Sequence, residues 1–392
     1  MGTEQWPAQR MATQQNKGFG TYEKASRLHA TGVDDLIRLE LGTSSIDTPA
    51  HIKQGAKDAL DAGLVHYGHL QGQPELREAL AEKVRTFNGI EATADEILVT
   101  NGLTQAAFAT FLATLDPGDE VIHLQPGYPQ HPPKIELIGG TVVPVPLTAG
   151  FRPDPERVEA AITPRTKILL LVNPVNPVGT VYTHDELAQL ADIAIRHDLL
   201  VVTDEVYEYM VYDGRAHVSI ASLPGMRERT VTMCGFSKAY GMEGWRLGYV
   251  VAVRPLIEQV MRVTMNESTH PCLFGQYGAL VAVTAPQTCV QETVAEYQRV
   301  RDILHTRLNA MPGVSCHLPE GTIYAFPRIK DLGLTSAEFC HRLLTEKHVS
   351  VESGSFYGPP GEGYVRVCFA AEPSERVIEA MDRMEEFVRD MA

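Results

Sequence analysis

Short and almost entirely apolar runs alternate with amphipathic stretches through the middle of the chain. The apolar runs predict buried strands at residues 96–100, 121–124, 141–145, 167–173, 199–204, 230–234 and 247–251. The stretches around them predict helices at residues 52–62, 74–87, 104–115, 129–138, 155–162 and 184–197. Apolar strands separated by helices are typical of a mostly parallel sheet covered by helices on both faces. The loops that follow such strands meet at one edge, where ligands bind.

The pattern changes after about residue 285. A long polar helix is predicted at 291–311, with further helices at 336–347 and 374–391. Short strands are predicted between them, at 314–317, 324–327 and 365–369. We therefore predict an α/β protein with three parts. Residues 1–50 form an arm and a segment of the small domain, 51–285 the large domain, and 286–392 a smaller α+β domain with which the N-terminal segment packs.

Composition narrows the class of protein. The 392 residues carry a formal net charge of −15, which argues against a nucleic-acid partner. The apolar runs are too short to cross a bilayer, and the polar residues 1–22 lack the apolar core of a signal peptide. The six cysteines are scattered without a CxxC pair, so no metal site is expected and the thiols suit a reducing compartment. These features predict a cytoplasmic protein.

Several chemically useful side chains follow the predicted strands. Lys238 comes just after the strand at 230–234, and a buried lysine with a lowered pKa is a nucleophile toward carbonyl groups. Arg246 follows eight positions later, with a planar guanidinium that suits a phosphate dianion. Asp204 ends another strand, where a carboxylate can hold a proton on a pyridine nitrogen. Taken singly, each residue is equally compatible with a structural role.

Three further segments favour ligand binding. The Asn-Pro-Val-Asn-Pro-Val-Gly loop at 173–179 is stiff and can present the amide of Asn176 in a fixed geometry. The turn and helix start at 100–104 offer free backbone N–H groups to an anion. Arg366 is a lone cation in a short apolar strand and needs an anionic partner or water. A turn, a helix cap and a structural ion pair are the plainer alternatives.

The order of these motifs resembles the class I and II aminotransferases, which are fold-type-I enzymes dependent on pyridoxal 5′-phosphate (PLP). The resemblance covers roughly residues 35–390. It rests on the loop at 173–179, on Asp-Glu-x-Tyr at 204–207, and on Ser-Lys followed by Gly-x-Arg-x-Gly-Tyr at 237–249. The family pattern is also matched by two further segments, Gly-Glu-Gly-Tyr-Val-Arg at 361–366 and residues 67–77.

The resemblance implies a role for each matching residue around the cofactor. Lys238 would carry PLP as a Schiff base and move protons, and Asp204 would pair with the pyridine nitrogen. Tyr207 and Asn176 would bond the phenolate oxygen of the ring, on which Tyr128 would stack. The residues that would hold the phosphate are Gly102, Leu103, Thr104, Ser237 and Arg246.

The resemblance also implies substrates and a partner. Amino acids and 2-oxo acids would be the substrates, with Arg366, Asn176 and the Gly42 backbone near the α-carboxylate. Tyr67 would reach the phosphate of a neighbouring subunit, so a homodimer is expected.

Several positions depart from the family pattern near the expected site. They are Thr43, Ser44, Ser45, His69, Val178, Gly235, Glu243, Glu267 and His270. Drift would explain them, and so would a changed substrate or a changed fate of the carbanion. Three functions therefore stay open: amino-group transfer, elimination, replacement or cyclisation by a related PLP enzyme (as in aminocyclopropane carboxylate synthase acting on S-adenosylmethionine), and PLP binding by a regulator.

Overall fold

The computed structural model describes residues 6, 8–12 and 20–391, so parts of the predicted N-terminal arm lie outside it. The strands are β1 (Ile37–Arg38), β2 (Ile97–Thr100), β3 (Glu120–Gln125), β4 (Thr141–Pro146), β5 (Thr166–Val172), β6 (Leu200–Asp204), β7 (Thr230–Gly235), β8 (Gly248–Val251), β9 (Tyr324–Ala325), β10 (Val349–Ser350), β11 (Glu352–Ser353) and β12 (Val365–Cys368).

The helices have these bounds: α1 (Gln9–Ala12), α2 (Thr21–Ala30), α3 (Ala50–Asp61), α4 (Pro74–Phe87), α5 (Gly102–Thr114), α6 (His131–Leu137), α7 (Pro155–Ala160), α8 (His184–Arg196), α9 (Arg254–Ser268), α10 (Leu273–Thr284), α11 (Thr288–Ala310), α12 (Ser336–Lys347) and α13 (Ser374–Arg389). In the part of the chain that the structure describes, no helix combines the length and the apolar character that crossing a membrane requires.

The large sheet contains the seven strands predicted from the apolar runs, in the order β2-β8-β7-β6-β5-β3-β4. Strand β8 pairs antiparallel with both β2 and β7, and the other pairs are parallel. The α/β fold with a mostly parallel sheet is confirmed. The prediction did not say which strand is antiparallel, because an apolar run carries no information about strand direction.

Strand β5 explains why these strands are apolar throughout. Successive side chains of a strand point to opposite faces of the sheet. Leu169 and Leu171 pack in the cluster that contains α7 and α8 residues, whereas Ile168 and Leu170 pack in the cluster that contains α5, α6 and α9 residues. Each face is covered by helices, so a central strand such as β5 needs apolar side chains on both sides, whereas the edge strand β4 is mostly exposed or half-buried.

In the smaller part of the molecule, segments from near both ends of the described chain pack together. Strand β1 pairs in parallel with β10, and β11, β12 and β9 form a separate antiparallel sheet. The carboxylate of Glu352 accepts hydrogen bonds from the backbone and hydroxyl groups of Thr21 at the start of α2. The N-terminal segment therefore packs with the C-terminal part. The domain boundaries near residues 50 and 285 stay a prediction.

Some elements differ from the prediction. Residues 314–317 form only an isolated bridge, in which Ser315 pairs with Arg328. Helices α2, α9 and α10 were not predicted. Helix α10 is apolar around most of its circumference, since it packs against α3 and α4, and this weakens the periodic signal of a half-buried helix.

Candidate active site

The carboxyl ends of the parallel strands and β12 of the smaller part surround one cavity. Eleven of the predicted site residues line it: Gly42, Leu103, Thr104, Tyr128, Asn176, Asp204, Tyr207, Ser237, Lys238, Arg246 and Arg366. Most of them follow strands β2, β3, β5, β6 and β7 directly, as the topology requires. Residues far apart in sequence thus meet in one place.

The amine of Lys238 lies at the centre of this site. Its Nζ donates a hydrogen bond of 2.5 Å to the backbone carbonyl of Gly42. Burial lowers the pKa of Lys238, the negative charge of Glu243 opposes this shift, and the cation of Arg366 adds to it. A lowered pKa increases the neutral fraction of the amine, and the neutral amine is the form that attacks a carbonyl group.

Asp204 is held by a histidine that sequence reasoning missed. The imidazole Nε2 of His131 donates to Oδ2 of Asp204 at 3.2 Å, and the backbone N–H of Val206 donates to Oδ1 at 3.2 Å. Burial lowers the pKa of His131, although the bond to Asp204 opposes that shift. A neutral imidazole can donate through Nε2 to this carboxylate. The sequence signal that could have indicated His131 was its place in the first turn of α6, shortly after the loop that contains Tyr128.

An anion cradle lies at the start of α5. This helix has no side-chain cap on its first N–H groups and no acidic residue in its first turn. Gly102 has a φ of +74°, and a Cβ there would come within 2.5 Å of Nη2 of Arg246. Glycine therefore lets the guanidinium approach the helix terminus. Together with Ser237, these groups offer backbone, hydroxyl and guanidinium donors to a phosphate.

A buried guanidinium defines the opposite side of the cavity. Arg366 donates from Nη1 to Oδ1 of Asn176 at 3.2 Å and from Nη2 to the Glu40 carbonyl at 2.5 Å. Its Nε is buried without a hydrogen-bond partner among the described residues. The guanidinium carbon also lies 4.2 Å from the centre of the Tyr324 ring. A buried cation with a free donor is suited to bind a carboxylate, although Glu352, its cross-strand partner, supplies one negative charge nearby.

The tyrosines of the site are ordered by their own contacts. Tyr207 and Tyr324 share a hydroxyl–hydroxyl hydrogen bond of 2.7 Å, and burial raises the pKa of Tyr207 well above its ordinary value. Tyr128 donates to Oε1 of Gln130 at 3.0 Å, and its ring meets His131 edge-on at 5.0 Å. A Cβ at Gly42 would lie 2.0 Å from the hydroxyl of Tyr324, so this position requires glycine.

Tyr67 lies outside the cavity. It is 88% exposed, in the connection between α3 and α4, and its ring meets His270 edge-on at 5.7 Å. His270 accepts a hydrogen bond from the N–H of Gly68. His270, one of the unusual positions in the sequence, thus forms one surface feature with the loop that contains Tyr67 and Gly68. The predicted contact of Tyr67 with a second subunit stays a prediction.

Two departures from the family pattern acquire a physical context. A Cβ at Gly235 would come within 2.4 Å of Cδ1 of Leu103, so the side chain of Leu103 occupies the space that a larger residue would need. Glu243 lines the cavity, and its Oε1 accepts from the Thr43 hydroxyl at 2.6 Å and from the Ser44 N–H at 3.3 Å.

Comparison with known proteins gives a consistent result. Residues 34–384 match the family model of aminotransferase class I and II. The chain is 45% identical to an aspartate aminotransferase of Pyrococcus abyssi over 92% of this chain and 94% of the relative. It is 43% identical to aromatic-amino-acid aminotransferase 2 of Thermococcus litoralis, with the same coverage. The aromatic aminotransferase structure from Pyrococcus horikoshii OT3 has a TM-score of 0.89 at 42% identity, covering 94% of this chain and 100% of that one.

The chain belongs to the class I and II aminotransferases. It is a PLP-dependent transferase that moves an amino group between an amino acid and a keto acid. The cavity fits this cofactor on its own evidence. The amine of lowered pKa suits the aldehyde of PLP. The uncapped helix terminus beside a guanidinium suits its phosphate, and the carboxylate held by a neutral histidine suits its pyridine nitrogen.

Proposed function

We propose that Lys238 is the covalent attachment point of PLP and that the cavity residues bind the rest of the cofactor. The observation that carries this assignment is the meeting of Lys238, Asp204 and Arg366 in one cavity. Ser237, Arg246 and the first N–H groups of α5, at Gly102, Leu103 and Thr104, hold the phosphate. Tyr207 and Asn176 would bond the phenolate oxygen, and Tyr128 would stack on the ring.

Asp204 and Arg366 divide the remaining work between cofactor and substrate. Asp204 holds a proton on the ring nitrogen, because a nearby carboxylate favours the charged form of a base. Arg366, with Asn176 and the backbone of Gly42, binds the α-carboxylate of the amino acid. When bound, PLP supplies the electron sink that stabilises the carbanion formed at Cα. Lys238 would take up and return the proton at that carbon, as general base and acid.

We further propose that the working unit is a cytoplasmic homodimer. The position of Tyr67 supports the dimer, since its side chain is 88% exposed and lies outside the cavity of its own chain, where a second subunit can contact it. Tyr67 would then donate a hydrogen bond to the phosphate of the partner's site.

A screen of amino-group donors tests the proposed function. The PLP-loaded protein is mixed with acidic, aromatic, neutral and basic amino acids in turn, and the absorbance of the cofactor is followed. We expect at least one donor to convert the cofactor to its amino form, and a 2-oxo acid to restore the original spectrum. Release of ammonia or of another leaving group, without such reversal, would contradict transfer and indicate elimination or replacement.

Mixing two inactive variants tests the shared site. Tyr67→Phe removes a hydrogen bond to the phosphate worth roughly 1.5–3 kcal/mol, so the variant should lose most of its activity. In a dimer that mixes it with Lys238→Ala, one site carries both defects and the other carries none. Activity should therefore return on mixing, measured after subunit exchange. Exchange without any return of activity, with both parents inactive, would assign Tyr67 to the site of its own subunit.

A further inference from the structure

The cavity contains one carboxylate oxygen that receives no hydrogen bond from the residues that the structure describes. Its lining carboxylates are Glu40, Asp204, Glu243 and Glu352. Three of them, Glu40, Asp204 and Glu352, accept hydrogen bonds on both oxygens. Only Glu243 keeps a buried oxygen, Oε2, without a partner among the described residues. This acceptor is therefore the part of the cavity that a ligand has most reason to complement.

The orientation of this carboxylate is fixed by its other oxygen. Oε1 of Glu243 is held by the hydroxyl of Thr43 and the N–H of Ser44. The hydroxyl of Ser44 is in turn bonded to that of Tyr297 at 2.6 Å. Thr43 follows Gly42, whose carbonyl accepts the bond from Lys238. Glu243 thus stands beside the reacting amine and is not free to turn Oε2 toward another protein group.

Besides Nδ1 of His131, the described residues of the cavity therefore offer two unsatisfied groups of opposite kind. One is the Nε donor of Arg366, and the other is the Oε2 acceptor of Glu243. An unpaired buried atom of a charged group is costly even where the other atoms of that group are bonded, and a ligand that supplies the missing partner removes this cost. A ligand that fits both has a carboxylate for Arg366 and a hydrogen-bond donor, best a cation, for Glu243.

We propose that Glu243 is a specificity-determining residue that selects amino acids with an amine or guanidinium at the end of the side chain. The same carboxylate disfavours dicarboxylic amino acids, because a second negative charge would lie near Oε2. This inference rests on the proposed function, in which Arg366 binds the α-carboxylate. It names the substrate class that the shared motifs of the family leave undefined.

Two other partners for Oε2 predict different behaviour. If Oε2 bound the α-ammonium group of every substrate, neutralising Glu243 would weaken the binding of all amino acids equally. If Oε2 bound a second copy of the chain, neutralisation would weaken the dimer and leave the choice of substrate unchanged. The test must therefore compare side chains in ligands that lack the α-amino group, and must also measure assembly.

The first measurement is the affinity of the deamino analogues of arginine, norleucine and glutamate for the PLP-loaded protein, by calorimetry. Glu243→Gln keeps the shape of the side chain and an acceptor for Thr43 and Ser44, but removes the charge. We expect the arginine analogue to bind about tenfold more weakly and the glutamate analogue about tenfold more tightly. The norleucine analogue should change by less than about twofold. Glu156→Gln, which neutralises an exposed carboxylate on α7, is the matched control and should change none of them.

The second measurement is the ratio of kcat/KM for arginine and glutamate, with the dimer checked by sedimentation. Glu243→Gln should lower this ratio about 100-fold, the product of the two expected changes in affinity. Equal shifts of all three analogues, no shift of any, or a weakened dimer with unchanged selectivity would each overturn the proposal. If the wild-type protein binds the analogues with the expected selectivity but transfers no amino group, the proposed function fails and the assignment of Glu243 stands.

Discussion

Replacing Lys238 with alanine is expected to abolish covalent binding of the cofactor and to lower activity by about 10⁴-fold or more. The variant loses both the attacking amine and the proton carrier, because Lys238 performs both tasks in the proposed function. Reduction with borohydride followed by peptide mapping checks this directly. The wild-type protein should carry the reduced cofactor on Lys238, and the variant should carry none.

Lys134 provides a matched control within the same cavity. Burial lowers the pKa of Lys134 to about 8, so this residue also offers a reactive amine near neutral pH. Its Nζ donates to the carbonyl of Gln130, on the side of the cavity near His131. We expect Lys134→Ala to keep the reducible covalent cofactor on Lys238. A label on Lys134 in the wild-type protein would refute the assignment of Lys238.

Replacing Asp204 with alanine should lower kcat by about 10²–10³-fold while leaving covalent attachment intact. The variant keeps Lys238 but loses the charge that holds the proton on the ring nitrogen, and the carbanion at Cα loses its stabilisation. The direct measurement is the exchange of the Cα proton of an amino acid with deuterated solvent, followed by NMR. Exchange should be almost absent in the variant.

The residue next to Asp204 supplies the control for this experiment. Glu205 is equally buried, but its carboxylate bonds His217 and Ser219 and does not line the cavity. Glu205→Gln should keep the exchange of the Cα proton near its wild-type rate. Normal exchange in Asp204→Ala, or its loss in both variants, would show that the charge of Asp204 is not the reason for the effect.

The parts of the fold that depend on local pattern could be predicted from the sequence. The apolar runs located the seven strands of the large sheet within a residue or two, because burial on both faces leaves a continuous signal. The position of a residue just after a strand also placed Asp204, Asn176 and Lys238 at one edge. The direction of β8 could not be predicted in this way, since it depends on its partners β2 and β7.

The parts of the site that depend on packing could not be predicted. His131 was assigned only to a helix, and its bond to Asp204 appears once α6 is placed against the end of β6. Gly235 was noticed only as a departure from the family pattern, and its packing against Leu103, which leaves no space for a side chain, is visible only in the folded chain. Glu243 was noticed as unusual, but its unpaired oxygen is visible only in three dimensions.

Because β1 pairs with β10, the parts of the cavity form in a fixed order while the ribosome makes the chain. The strands of the large sheet all lie between residues 97 and 251, so this sheet can form while the later part of the chain is still being made. Arg366 and the Glu40 carbonyl that orients it come together only after β10 and β12 have emerged, because closing so long a loop requires both ends. A nascent chain can therefore shape the cofactor's half of the cavity well before it gains the half that recognises the substrate.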